Sequence, residues 1–108
     1  MLNHVIYRHP KSTQWVTFVH GAGGSYNTWF KQIKEFNKHY NVLLLDLRGH
    51  GNSEGSLALG EIAYTFDLIS QDILNLLIFL GIEKSHFVAI SLGAIIVRQL
   101  AEINPEKV

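Results

Sequence analysis

The chain has 108 residues, with nine basic side chains, nine acidic side chains and no cysteine. Its length leaves room for one small domain, and its balanced charge gives no basic surface for nucleic acid or an acidic membrane. Without cysteine there is no disulfide framework, no thiol nucleophile and no Cys-ligated zinc, which fits a reducing compartment such as the cytoplasm.

The first third of the sequence predicts two strands and a helix. The segment HVIYR alternates in polarity as an edge strand does, and WVTFVH predicts a second strand. The N-terminus has no signal-peptide pattern. After GAGG, the apolar side chains at Trp29, Ile33 and Phe36 have the spacing of one face of a helix. Ser25 or Asn27 is suited to cap the start of that helix.

The rest of the sequence predicts two further strands, each followed by a helix. The segments NVLLLDL and HFVAI are apolar without alternation, as in strands covered on both faces of a parallel sheet. A long helix follows RGHGNSEGS, with Thr65 as its N-cap and Gly81 at its end, and a last helix spans Leu92–Ile103. The most apolar run, residues 73–82, is about half as long as a membrane span, so we expect no span and a cytoplasmic location.

Strands and helices alternate along the chain, which predicts the α/β class: a parallel sheet with helices on both faces. In such sheets, ligand chemistry lies at the carboxyl ends of the strands. Three loops leave those ends, HGAGGS, DLRGHGNS and AISLGA, and each contains residues that a simple turn does not need. We therefore expect the functional site where these loops meet.

The AISLGA segment predicts a strand that turns sharply into a helix at Ser91. To act as a nucleophile, a serine hydroxyl needs a base, exposure at a tight bend, and donors for the developing oxyanion. An elbow at Ser91 provides the exposure, and the Leu92 N–H at the start of the helix is one predicted donor. Ala89 and Gly93 are small enough for the two backbones to approach. The alternative is that Ser91 only caps the helix.

The HGAGG segment supplies candidates for the second oxyanion donor. Glycines let the backbone of a neighbouring loop approach the elbow without side-chain obstruction. We predict the Ala22 N–H as that donor, with Gly23 as the second choice, and Gly21 and Gly23 as loop residues beside the substrate. His20 ends a buried strand, so we expect it to brace this loop through hydrogen bonds rather than to act as the catalytic base.

The DLRGHGNS segment admits two interpretations. Asp46 ends a strand and can serve as the acid of a catalytic triad, but Asp46, Arg48, the glycines and Ser53 also make a well-bonded turn, which we favour. His50 lies between glycines and is interpreted as a loop residue. The other histidines have no ligand-like pairing, so we expect no metal and no other cofactor.

Four segments in register, HGAGGSYNTW, LLLDLRGHGNS, YTFDLISQDILNLLIFLGIEKSHFVAISLGA and INPEKV, resemble the N-terminal half of the α/β-hydrolase fold superfamily, in particular serine esterases and lipase-like members. The resemblance implies a three-layer αβα sandwich, Ser91 as the nucleophile, and an oxyanion hole formed by Ala22 and Leu92. Ala89 stands where the usual elbow motif has glycine, as in some lipase-like members. A serine in the elbow argues against the dehalogenase and epoxide-hydrolase branches.

By the same resemblance, residues 1–108 are the N-terminal part of a single domain, truncated before the next strand, and the triad acid and histidine come later in a longer protein. It implies acyl transfer from a small ester-like substrate to Ser91, followed by hydrolysis of the acyl-enzyme. The missing C-terminal half is then a partner of this chain. Without it, we expect the 108-residue chain to be inactive and to self-associate through the exposed edge of the HFVAI strand.

Two other functions fit parts of the sequence. In the first, GAGGSY after a strand and Asp46 at the end of the next strand imitate a dinucleotide-binding Rossmann unit, with Arg48 near a 2′-phosphate. Its third glycine position holds Ser25 or Tyr26, and it leaves the AISLGA elbow unexplained. In the second, a non-catalytic interaction protein keeps the hydrolase fold without the chemistry.

Overall fold

The computed structural model describes residues 1–53 and 66–108. Within those ranges the strands are β1 (His4–Tyr7), β2 (Trp15–Val19), β3 (Asn41–Leu45) and β4 (His86–Ala89). The α-helices described there are α1 (Ile33–Phe36), α2 (Phe66–Leu80) and α3 (Leu92–Ile103), and short 3-10 turns cover Tyr26–Trp29 and Pro105–Lys107. No helix in these ranges is long and apolar enough to cross a membrane, and the cytoplasmic location stays a prediction.

The strands form one sheet in the order β1-β3-β2-β4. β2 pairs in parallel with β3 and with β4, as predicted. β1, the edge strand, instead pairs antiparallel with β3, so the predicted parallel sheet is mixed at this edge. The physical reason is the connection between β1 and β2, residues 8–14, which is too short for the crossover that parallel strands require.

β3 lies at the centre of the core and is buried at every position. Leu43 and Leu45 belong to the hydrophobic cluster that also contains side chains of α2 and α3. Val42 and Leu44 belong to a second cluster, on the opposite face of the sheet, with side chains of the Tyr26–Trp29 turn and α1. The prediction of helices on both faces is confirmed, and each leucine buried in this way contributes about 1.5–3 kcal/mol relative to an exposed one.

α2 ends as predicted, because Gly81 adopts a φ of 73° that favours glycine. The Gly81 N–H donates to the Ile78 carbonyl at 3.1 Å, and the Ile82 N–H donates to the Leu77 carbonyl at 2.9 Å. This pair of hydrogen bonds is the Schellman motif, which satisfies the last carbonyls of a helix. Thr65, the predicted N-cap of α2, lies outside the described residues.

The segment after the glycine-rich loop differs from its prediction. It forms a 3-10 turn at Tyr26–Trp29 and then the single turn of α1, rather than one continuous helix. Ser25 caps the turn: its Oγ accepts from the Asn27 N–H at 3.2 Å, and its N–H donates to Thr28 Oγ1 at 3.4 Å. The apolar side chains here are three and four residues apart, and the three-residue spacing fits both helical forms, so the pattern did not show where one form gives way to the other.

Candidate active site

Ser91 lies in a strained bend between β4 and α3. With a φ of 54° and a ψ of −119°, it is the only residue other than glycine with a positive φ in the described ranges. A residue with a side chain loses about 1–3 kcal/mol in such a conformation, which persists only where the surroundings impose it. Ser91 is exposed and occupies the N-cap position of α3, but its side chain makes no capping hydrogen bond. Simple helix capping therefore does not account for the bend.

In the described part of the chain, the first turn of α3 leaves one amide N–H without an acceptor next to this serine. The N–H groups of Gly93 and Ala94 donate to the carbonyls of Ile90 and Ser91, at 2.9 and 3.0 Å. The Leu92 N–H donates no hydrogen bond among the described residues, as is usual for the first residue of a helix. Because the positive end of the α3 dipole lies at this turn, the Leu92 N–H can donate a hydrogen bond to a negatively charged oxygen beside Ser91.

The loop after β2 touches the elbow. A Cβ atom added to Gly21 would lie 3.3 Å from the Cβ of Ser91 and 3.4 Å from the carbonyl oxygen of Ile90. Ala22 and Gly23 continue this loop, Ala22 being exposed and Gly23 having a φ of 78°. The Ala22 N–H donates no hydrogen bond within the described part of the chain. The two segments that the sequence analysis singled out are therefore adjacent.

Gly93 lets α3 pack directly on the end of β2. A Cβ atom added to Gly93 would collide with the carbonyl oxygens of Val19 and His20. The Ile90 N–H donates to the same Val19 carbonyl at 3.3 Å, which continues the pairing of β2 and β4 as far as the elbow. A small residue two positions after Ser91 is needed because helix and strand backbones are in contact there.

The bend at Ser91 and the loop after β2 meet at the point where the strand order in the sheet reverses direction. β3 lies on one side of β2, whereas the next strand in sequence, β4, lies on the other side. The crevice outside the carboxyl ends of β2 and β4 is a topological switch point, where open α/β sheets bind their ligands. A Rossmann unit instead places its third strand beyond its second, so this order does not support the dinucleotide-binding alternative.

His20 is fully buried behind the loop, and both of its ring nitrogens are hydrogen-bonded. Nε2 accepts from the Leu47 N–H at 3.0 Å, and Nδ1 lies 2.7 Å from the Gly21 carbonyl oxygen. Burial lowers the pKa of His20, and the His50 ring, centred 5.1 Å away, acts in the same direction, so His20 is neutral at pH 7. These bonds agree with the predicted bracing role and leave neither nitrogen available to act as a base.

The sequence also matches a known family along most of its length. A family model of the α/β-hydrolase fold matches residues 14–108. The chain belongs to the α/β-hydrolase fold family. The strand turning into a helix at Ser91 and the glycine-rich loop beside it both lie inside the matched region.

The chain is also similar to curated proteins and to a solved structure over most of its length. The chain is 33% identical over 93 residues to the dihydrolipoyllysine-residue acetyltransferase component of the acetoin cleaving system of Pseudomonas putida, covering 86% of this chain and 24% of the relative. It is 30% identical over 86 residues to 3-oxoadipate enol-lactonase 1 of Acinetobacter baylyi, covering 80% of this chain and 30% of the relative. The enol-lactonase structure from Burkholderia xenovorans LB400 superposes with a TM-score of 0.89 at 27% identity, covering 99% of this chain and 40% of that one. The chain thus spans 24% and 30% of the two curated relatives.

In this α/β-hydrolase chain, Asp46 ties three segments together. Its Oδ1 accepts from the Tyr26 N–H at 2.7 Å, in the segment after the glycine-rich loop. Its Oδ2 accepts from Asn3 Nδ2 at 2.8 Å and from the Asn52 N–H at 3.0 Å. Gly51 makes room for the carboxylate, since an added Cβ there would collide with it. These bonds agree with the structural interpretation of Asp46.

Replacing Asp46 with asparagine is expected to lower the free energy of unfolding by about 2–4 kcal/mol. The carboxamide keeps the shape but turns an NH2 group toward a donor, which leaves a partly buried donor without its acceptor. Urea unfolding followed by circular dichroism measures the loss. Glu83→Gln, at an exposed site after α2, is the control and should change stability by less than about 0.5 kcal/mol. Equal effects of the two substitutions would contradict the role of the Asp46 network.

Arg48 joins the loop after β3 to α2. Its Nε and Nη2 donate to the two carboxylate oxygens of Asp72, both at 2.8 Å. This paired hydrogen bond raises the pKa of Arg48 and fixes the guanidinium against α2. Arg48 is therefore engaged within the protein, whereas the dinucleotide-binding alternative needs it for a phosphate. The role of Asp72 was not predictable from the sequence, because no motif connects it with a residue 24 positions earlier in the chain.

A cavity of about 530 Å³ lies elsewhere, beside Trp15, Ser85 and His86. These residues stand at the amino ends of β2 and β4. Ser91 follows the carboxyl end of β4, so the cavity opens at the other end of the sheet and is not part of the candidate active site.

Proposed function

We propose that the protein containing this chain is a serine hydrolase of esterase or lipase-like type, which cleaves small carboxylic ester-like substrates through an acyl-enzyme on Ser91. The observation that carries the proposal is the strained, exposed backbone at Ser91, in contact with the loop of Gly21. A serine held in this way has its hydroxyl at the surface, next to N–H groups that can donate hydrogen bonds to an oxyanion. The names of the relatives support the substrate class, since a lactone is a cyclic ester.

In the proposed reaction, Ser91 Oγ attacks the carbonyl carbon of the ester, forming a C–O bond while its proton passes to a histidine base. The carbonyl oxygen becomes an oxyanion, which accepts hydrogen bonds from the N–H groups of Ala22 and Leu92. The C–O bond to the alcohol then breaks, and the alcohol leaves with the proton from the histidine. Water adds to the acyl-enzyme through the same steps and releases the acid. No cofactor takes part.

We further propose that the histidine and the acid come from the remainder of the same protein. His20 is excluded as the base because both of its ring nitrogens are engaged. β4 pairs only with β2 among the described strands, so its other edge is open in that part of the chain. Ile90, which follows β4, and Ile95 and Ile103 in α3 are exposed by more than half, and further segments of the same protein could cover them. In their absence, the open edge of β4 favours pairing with a second copy.

Labelling with a fluorophosphonate tests the proposal. In the complete gene product, the reagent should form an adduct on Ser91 that peptide mass spectrometry locates, because only an activated serine reacts quickly. Ser85, which is buried, is the internal control and should stay unlabelled. The 108-residue chain alone should react far more slowly. A complete gene product without an adduct on Ser91 would contradict the proposal and favour the non-catalytic interaction protein.

A further inference from the structure

The carbonyl group of Gly21 is held from two sides. It accepts a hydrogen bond from the Gly24 N–H at 3.1 Å, and it lies 2.7 Å from Nδ1 of His20. The other ring nitrogen, Nε2, accepts from the Leu47 N–H at 3.0 Å. Because a backbone amide can only donate, Nε2 carries no proton, and the neutral ring must carry its proton on Nδ1. His20 is therefore a donor to Gly21.

The Gly21 carbonyl and the Ala22 N–H belong to the same peptide group. That group is planar and trans, so its C=O and N–H bonds point in opposite directions. A hydrogen bond that holds the carbonyl also fixes the direction of the amide hydrogen. Gly21 has no side chain to restrict its backbone rotation, so this plane depends on its hydrogen bonds more than most. The hydrogen bonds to the Gly21 carbonyl therefore set the direction in which the Ala22 N–H points.

We propose that His20, as its Nδ1–H tautomer, is a positioning residue that orients the Ala22 N–H toward the oxyanion formed at Ser91. This inference rests on the proposed hydrolase function. Three features fit the assignment. The ring is fully buried, its tautomer is set by the N–H of Leu47 in the loop after β3, and the carbonyl it holds is in the loop that touches the elbow. His20 itself touches neither substrate nor reacting atoms.

Two substitutions in the complete gene product separate positioning from stability. In His20→Asn, the amide nitrogen occupies a place close to Nδ1 and can still donate to the Gly21 carbonyl, whereas the acceptor for Leu47 is lost. In His20→Gln, the longer side chain reaches the place of Nε2 and can accept from Leu47, whereas the donor to Gly21 is lost. Each variant keeps one buried hydrogen bond, so a purely structural role predicts similar losses of stability and activity for both.

We expect His20→Gln to lose much more activity than His20→Asn. His20→Gln should lower kcat, and the rate of fluorophosphonate labelling, by about 10²–10³, the effect of removing one oxyanion donor elsewhere. His20→Asn should stay within about tenfold of the parent. KM should change little in either variant, because the oxyanion forms only in the transition state. Thermal unfolding of both variants shows that the comparison is made between folded proteins.

The outcomes that overturn this inference differ from those that overturn the proposed function. If the parent protein forms no adduct on Ser91, the proposed function fails. If the parent is labelled and both variants lose rate equally, only the positioning role of His20 fails. Nitrogen-15 NMR of the unsubstituted protein gives a second measurement that needs no variant. A His20 ring protonated on Nε2 at neutral pH overturns the inference, and the Nδ1–H form supports it.

Discussion

If the complete gene product is the proposed serine hydrolase, replacing Ser91 with alanine is expected to lower its kcat by a factor on the order of 10⁵–10⁶, the effect of removing a serine nucleophile elsewhere. The substitution removes the hydroxyl and leaves the bend, because alanine has the same conformational restriction as serine. Steady-state hydrolysis of a short-chain aryl ester measures the loss. Residual activity within about tenfold of the parent would mean that another group is the nucleophile.

Ser91→Gly separates the chemistry from the strain. It removes the same hydroxyl, but glycine adopts a φ of 54° and a ψ of −119° without steric conflict. Glycine removes about 1–3 kcal/mol of backbone strain, which is more than the free-energy cost of the extra conformational entropy that it loses on folding. Ser91→Gly should therefore be about 1 kcal/mol more stable than Ser91→Ala. Both variants should be inactive. If Ser91→Gly were the less stable of the two in urea unfolding, the bend would not be strained.

Replacing Gly93 with alanine is expected to destabilise the protein by about 2–4 kcal/mol and to reduce activity at least about 100-fold. The sign of the effect is informative, because glycine to alanine within a helix normally stabilises by about 1 kcal/mol. Here the new methyl group would meet the carbonyl oxygens of Val19 and His20, which belong to the backbone and cannot rotate away. To relieve the collision, α3 must move away from β2 and take the elbow with it.

The control for Gly93→Ala is Ala94→Gly, one position further along α3 and exposed. That substitution should follow ordinary helix propensity and destabilise by about 1 kcal/mol, with activity unchanged. Differential scanning calorimetry of the two variants compares the unfolding free energies, and ester hydrolysis compares the rates. A stabilised, active Gly93→Ala variant would contradict the contact between α3 and the end of β2.

The sequence was sufficient for the elements whose pattern is local. α3 begins and ends at the predicted residues, because its apolar spacing, the elbow before it and the Asn-Pro step after it all lie within a short stretch. β3 was predicted to be covered on both faces for a similar reason, since a continuous apolar run has no polar face to expose. The elbow at Ser91 was likewise predictable from the small residues two positions before and two positions after it, Ala89 and Gly93.

The features that the sequence did not predict depend on pairing between distant segments. β1 runs antiparallel to β3 because the connection from β1 to β2 is short, and no residue within β1 encodes which strand it pairs with. The partners of Asp46 include Asn3, which is 43 residues away, and Tyr26, which is 20 residues away. The tautomer of His20 follows from the amide of Leu47, which becomes a neighbour only when β2 and β3 pair.

The strained bend at Ser91 also bears on how this position evolves. If the hydroxyl had no function, a substitution of Ser91 by glycine would stabilise the fold and would not be selected against. A related protein that keeps serine in the same strained bend is therefore under selection for the hydroxyl itself.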